Sequence, residues 1–361
     1  MMTAGDSPEV KVYRARWLML AIFAYASAVN SMQTYTFAPI SAATADFFDV
    51  DLGGVYALGA VFLGLFVPGA ALTGYVAARR GLGAVTRLGA ALTLAGSLAR
   101  ALACAARARL GARRAYATML LGQSVVALAQ PVFTNAAVRL ADAWFGERER
   151  DLAASLAVLA NLLGNALGQV LPPLVVRQRA AAGDDGDGGD DARGAYGGGM
   201  PALMGAQAAM AALAGALAFA LFRGAPATPP SLAVASQRDD EAAAALLRAS
   251  HASCASLNDG GEGPPPATGA DAPPRAGGLR ANVAAVAAPY FAVLRDPQFG
   301  VLLFMFSLGV GFFNGMMVVI AEWLAPLGFS AAQAGAVGGA VLGAGLFSAV
   351  GAGAAMDATH A

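Results

Sequence analysis

The sequence predicts an all-α membrane protein that crosses the bilayer several times, and its composition, the length of its apolar runs and its glycine content all point that way. Hydrophobic residues fill 57% of the 361 positions and charged residues only 13%. Soluble domains sit near half apolar and a quarter charged. A membrane-spanning helix needs about 20 mostly apolar residues, and eight runs reach that length. The 45 glycines would weaken helices in water, but in lipid they let helix backbones approach closely.

The runs cover residues 17–40, 56–77, 85–105, 116–138, 152–176, 200–222, 300–320 and 332–355. The first contains Ala24-Tyr25-Ala26 behind Lys11, Arg14 and Arg16, a pattern like a signal-peptide cleavage site. Its length and the spans that follow assign it as a retained helix. After the sixth run the chain turns polar and proline-rich, with Pro264, Pro265, Pro266, Pro273 and Pro274, which predicts disorder. Two short helices are expected inside this stretch, over 239–248 and 281–294. The organisation read from the sequence is therefore a cytoplasmic tail at 1–16, a six-helix bundle at 17–222, a cytoplasmic loop at 223–298, and two helices of an incomplete second bundle at 299–361.

Formal net charge is zero, so no nucleic-acid partner is implied. Lys11, Arg14, Arg16, Arg79, Arg80, Arg87, Arg139, Arg148 and Arg150 collect on the side of the amino terminus, which marks it as cytoplasmic. Asp46, Asp49, Asp51 and the Asp-Gly stretch from Asp184 to Asp191 fall on the other side; Arg107, Arg109, Arg113 and Arg114 run against the rule. The Asp-Gly stretch lacks the spacing of a calcium loop. Cys104 and Cys254 form no disulfide framework, and His251 and His360 lie in polar stretches. No metal site, no cofactor and no set of nucleophile, base and orienting group is implied, so the chain reads as no enzyme. Its expected surroundings are the lipid bilayer of a plasma or organelle membrane and a small-molecule solute.

Six spans, a long polar loop and further spans is the layout of the major facilitator superfamily, built from related repeats. Gly74-Tyr75-Val76-Ala77-Ala78-Arg79-Arg80-Gly81 resembles that superfamily's conformational loop motif, with Gly74, Arg79 and Gly81 kept and Ala78 in place of its acid. At the equivalent place after the eighth span, Gly353 and Asp357 keep the glycine and the acid. A narrower resemblance rests on Asn30-Ser31-Met32-Gln33, Phe37-Ala38-Pro39, Leu121-Gly122-Gln123-Ser124, Ala129-Gln130-Pro131, the run from Trp144 to Arg150, Gly164, Gly168, Pro172-Pro173 and Leu294 to Phe299. Together these are similar to the feline leukaemia virus subgroup C receptor family of solute carriers.

That resemblance implies a facilitator working by alternating access, with choline, ethanolamine and heme as the family's cargoes and the substrate of this chain unassigned. Relatives that handle choline place a tryptophan where Thr34 stands, and a family glutamine corresponds to Leu162. Without an aromatic face for a quaternary ammonium, choline is expected to be a poor cargo. The repeat architecture also implies twelve spans. The chain is accordingly expected to be a fragment lacking four carboxy-terminal helices and unable to alternate access unaided.

Polar residues inside spans are the binding candidates. Asn30, Gln33 and Thr34 cluster on the first span; Asn161, Asn165 and Gln169, at i, i+4 and i+8, line one face of the fifth; Asn314 and Glu322 lie eight apart on the seventh. The fifth-span amides read equally as a cavity wall or as interhelical glue, and Glu322 as an intramembrane carboxylate or an interfacial charge. Gln123 and Gln130 read as helix-holding groups, and Arg100 as a side chain that snorkels to an interface. Gly164 and Gly168 should pack on a neighbour. The first and fifth spans are expected to share one cavity, with Thr34 and Asn161 open to water. A non-transporting receptor or scaffold of the same fold is the alternative.

Overall fold

The computed structural model describes residues 10–176, 199–231, 234–236 and 296–359, with the side chains of 346 and 349–359 outside that description. Every regular element among the described residues is helical. The Asp184 to Asp191 stretch and the short helices expected over 239–248 and 281–294 lie outside the described residues.

The first span opens as α1 (Ala15–Met32) but does not continue to residue 40. Pro39 is the reason: its ring and missing N–H prevent a helical turn over the residues before it. The chain passes through turns at 33–37, re-forms as a 3-10 turn at Ala38–Ile40 and continues in α2 (Ser41–Phe48). Asp51 then caps α3 (Leu52–Gly64) by accepting from Gly54 N at 2.9 Å.

The second and third spans lie in α3 and in α4 (Phe66–Ala105), inside which Gly81 adopts φ 73°, ψ −178° and separates them. Only glycine takes that conformation without steric cost. A short α5 (Arg107–Leu110) leads to α6 (Ala112–Trp144), which accommodates Pro131. Glu147 and Glu149 sit in the first turn of α7 (Glu147–Val170), complementing the positive end of its dipole. The pair Pro172-Pro173 ends that helix and starts α8 (Pro172–Val175); α9 (Met200–Ala220) is the sixth span. Next come α10 (Pro297–Val318), α11 (Ile320–Leu324) and α12 (Ala331–Thr359).

Among the described residues five stretches are long and apolar enough to cross a membrane: Leu52–Ala105, which holds two of the expected runs, Ala112–Trp144, Glu147–Val175, Met200–Ala220 and Pro297–Val318. The chain divides into two units, Met1–Ser231 with Gly315–Ala361, and Leu232–Asn314. In the second, α10 leaves Leu302, Phe304, Met305, Phe306 and Phe312 largely exposed, as a lipid-facing helix requires.

In the first unit α4 packs on α6 and α9, and α7 on α1 and α12. Glycines set the closest approaches. A Cβ on Gly164 would overlap the carbonyl oxygen of Ala28, and one on Gly168 that of Met32, so α7 lies backbone to backbone against α1. Gly96 and Gly122 make the same contact between α4 and α6. Phe23, Phe133, Leu140 and Phe145 fill one core cluster, and Phe48, Met119, Met200 and Met204 another.

Candidate functional site

Among the described residues of the first unit, helical spans are interrupted near 33–37, at Leu65, at Leu171 and at Val319, and at two of these breaks a glutamine of another span takes a backbone carbonyl. At the first, the carbonyl of Gln33 is taken by Gln123 Nε2 of α6 at 3.1 Å. At the second, between α10 and α11, Val319 adopts φ −106°, ψ 12°, and the carbonyl of Met317 is taken by Gln169 Nε2 of α7 at 3.0 Å. Irregular backbone at membrane depth is tolerated only where protein or a water-filled cavity satisfies it. Here a glutamine from a neighbouring span does so in each case. The 3-10 turn at Ala38–Ile40 packs against α11 and α12, which brings the broken first span to the second break.

A narrow cleft lies at this junction, lined by Thr34, Phe37, Ala38, Val55, Tyr56, Gly59 and Val318. Its open volume is about 10 Å³, room for about one water. Of its lining residues Thr34 has a buried, unpaired hydroxyl; outside the lining, Gln169 Oε1 at the second break, both carboxylate oxygens of Glu322 on α11, and Asn165 Oδ1 one turn before Gln169 are also buried and unpaired. Buried polar groups without partners are costly; those of Gln169, Asn165 and Glu322 are acceptors, and that of Thr34 is a hydroxyl able to donate or accept.

The remaining candidates fall elsewhere. Asn30 is fully buried and donates to Thr93 Oγ1 at 3.0 Å and Val126 O at 3.2 Å, tying α1 to α4 and α6. Asn161 donates to Ser27 Oγ of α1 at 3.2 Å and is not among the residues of the cleft. Asn314 donates to Val310 O at 2.7 Å within its own helix. The eight-residue spacing that aligns Asn314 with Glu322 presumes one continuous helix, and the break at Val319 interrupts it.

In the loop motif, Arg79 lies over the Tyr75 ring at 4.8 Å, Gly74 has open space around it, and Gly81 supplies the break. Gly353 and Asp357 fall on the last turns of α12, their side chains outside the description. A larger cleft of about 360 Å³, walled by Tyr25, Met32, Leu163, Leu167 and Met210 among others, is apolar and has little with which to orient a polar solute.

Arg100 departs from expectation. Instead of snorkelling it is 1% exposed, donating through Nη1 to Gln33 Oε1 and through Nη2 to Gln207 Oε1 at 2.9 Å. Gln207 was not legible as a candidate. The sequence does carry a signal for Arg100: Thr86, Thr93, Ser97 and Arg100, spaced seven, four and three apart, make one polar stripe that the folded α4 buries.

Among the described residues the arrangement is an all-helical bundle whose spans break at membrane depth beside unpaired polar groups. The chain belongs to the Major Facilitator Superfamily, whose family model matches residues 14–360. It is 30% identical over 176 residues to solute carrier family 49 member A3 of Xenopus tropicalis, covering 48% of this chain and 36% of that protein. It is also 28% identical over 170 residues to the choline/ethanolamine transporter flvcr2b of Danio rerio (47% and 34%). To the choline/ethanolamine transporter FLVCR1 of Mus musculus it is 29% identical over 185 residues (49% and 32%). The match thus spans about a third of the length of these relatives. A crystal structure of a D-xylose-proton symporter superposes with TM-score 0.53 at 14% identity, covering 93% of this chain and 69% of that one, which establishes the fold alone.

Proposed function

We propose that the protein carries a small amine with N–H donors across the membrane by alternating access, and that the amine is held at the junction of the two broken spans. The observation that carries this reading is the buried, unpartnered carboxylate of Glu322 on the helix that follows the second break, with the unpaired acceptors of Gln169 and Asn165 and the free hydroxyl of Thr34 in the same unit. Such a set calls for a donor. A primary ammonium offers three, whereas a quaternary ammonium offers none and relies on aromatic faces. The similarity to choline/ethanolamine transporters therefore points here toward the ethanolamine side of that pair. At about 10 Å³ the cleft is closed to any organic solute, so loading requires its walls to part, as alternating access provides.

The test is uptake of labelled ethanolamine and choline into proteoliposomes, using the 361-residue chain and a version extended by the carboxy-terminal portion of a relative. Saturable ethanolamine uptake should exceed choline uptake. Glu322→Gln should reduce it about tenfold or more, since a hydrogen bond to a charged group contributes about 1.5–3 kcal/mol. Equal uptake by Glu322→Gln would refute the site. No saturable uptake of either solute by either version would favour a receptor or scaffold.

A further inference from the structure

The third span holds a cation that the amine site does not use. Among the described residues the ion pairs are Arg16 with Glu149 and Arg150 with Asp142, so no carboxylate pairs with the buried Arg100. A buried charge needs compensation, and the end of a helix supplies it. Arg100 Nη1 donates to Gln33 Oε1, and Gln33 Nε2 donates in turn to Val29 O at 3.2 Å. Arg100 Nη2 donates to Gln207 Oε1 at 2.9 Å, Gln207 Nε2 to Thr36 Oγ1 at 3.0 Å, and Thr36 Oγ1 to Met32 O at 2.9 Å.

Both chains end on carbonyls in the last turn of α1, where the aligned peptide dipoles place about half a negative charge. Each link runs from donor to acceptor in the same sense, so the guanidinium and the helix end polarise the two amides alike. The guanidinium also lies 5.2 Å from the centre of the Phe37 ring, a cleft residue.

We propose that Arg100 is a positioning residue: a built-in cation at the end of the broken first span that fixes Gln33 and Phe37 on either side of Thr34 and so holds Thr34 in the cleft. The proposal deepens the reading of that cleft as the solute site and rests on it. Carriers with interrupted helices use the freed helix ends to coordinate exchangeable cations. Here a side chain fills that place, so removing it leaves a cation site that a free guanidinium should refill.

The experiment uses the full chain carrying Thr34→Cys, with the unsubstituted chain reporting the background from Cys104 and Cys254. The rate of reaction with a small polar thiol reagent is measured in the parent and in Arg100→Lys, Arg100→Gln and Arg100→Ala, the last with methylguanidinium or neutral methylurea at equal concentration. Arg100→Lys should stay within about twofold of the parent, and Arg100→Gln should differ by about tenfold, the scale of a charge removed from a partly buried helix terminus. Methylguanidinium, and not methylurea, should return Arg100→Ala toward the parent rate. A parent-like rate in Arg100→Gln, or equal recovery with methylurea, would overturn the proposal in favour of simple packing. If Arg100→Ala does not stay monodisperse, the Lys and Gln variants decide by the same criteria, because glutamine keeps an amide and part of the volume without the charge. Accessibility is read without transport, so a failure of uptake would remove the amine reading and leave this result interpretable.

Discussion

Replacing Gly164 or Gly168 by alanine tests the closest contact in the bundle. A Cβ at 164 would stand 2.8 Å from Ala28 Cα and 2.9 Å from its carbonyl carbon, and one at 168 would stand 3.1 Å from the carbonyl carbon of Met32. Carbon pairs settle at about 3.5–4.0 Å, so α7 must withdraw from α1 by roughly 1 Å. A gap of that size forfeits about a quarter to a half of the dispersion attraction across the interface, and lipid offers no hydrophobic drive to restore it. Each substitution should cost about 1–3 kcal/mol, the usual range for overpacking. The double variant should cost less than the sum, because the helices part only once. Gly74→Ala and Gly205→Ala, where nothing lies within 4 Å, serve as controls and gain up to about 1 kcal/mol of helix propensity. Reversible unfolding in mixed micelles, followed by tryptophan fluorescence, measures the differences. Gly164→Ala as stable as Gly205→Ala would refute the backbone-to-backbone packing.

Gly81→Ala should lose about 1–2 kcal/mol in the same assay, because φ 73° is a left-handed value that a Cβ resists. An unchanged midpoint would mean that α4 does not break there. Gln169→Leu leaves the Met317 carbonyl without its donor and should cost about 1–3 kcal/mol; Gln169→Glu, which keeps the shape but loses the donor, should match it in direction. Full stability in both would show that the second break needs no brace. Thr34→Trp places an aromatic face in the cleft and should raise choline uptake relative to ethanolamine, by the roughly 0.5–2 kcal/mol of a cation–π contact. No change in that ratio would separate Thr34 from solute recognition.

Six of the eight expected runs fall in helices long and apolar enough to cross a membrane, and they were legible because about 20 apolar residues in lipid have few alternatives to a helix. The Gly164 and Gly168 stripe was legible because four-residue spacing puts two small surfaces on one face. What could not be read was which neighbour each face meets. The stripe of Thr93, Ser97 and Arg100 has a direction about its own axis, but its partners Gln33 and Gln207 come from helices 67 and 107 residues away. Snorkelling was the expectation for Arg100 because an arginine inside a span ordinarily finds water nearer than a partner. The break at Val319 has no proline to announce it. Its trace lies in another span, in the amide of Gln169.

That pairing of break and brace bears on why the bundle has this form. The breaks after α1 and between α10 and α11 each have a freed carbonyl taken by a glutamine of another span. An uninterrupted helix would satisfy those carbonyls internally with no buried amide at all. Two amides have instead been placed in the membrane interior, each leaving its own Oε1 unpaired. Braces of this kind stabilise the breaks yet leave acceptors pointing at their surroundings. If holding helices together were their only task, an apolar side chain over continuous helices would serve with fewer unmet hydrogen bonds. A site that must bind a solute and later release it has a use for unmet acceptors and for backbone able to change its hydrogen bonding. The interrupted spans therefore fit a carrier better than a scaffold, and uptake by Gln123→Leu should fall further than its folded fraction does. Uptake and folded fraction falling in equal proportion would return Gln123 to a purely structural role.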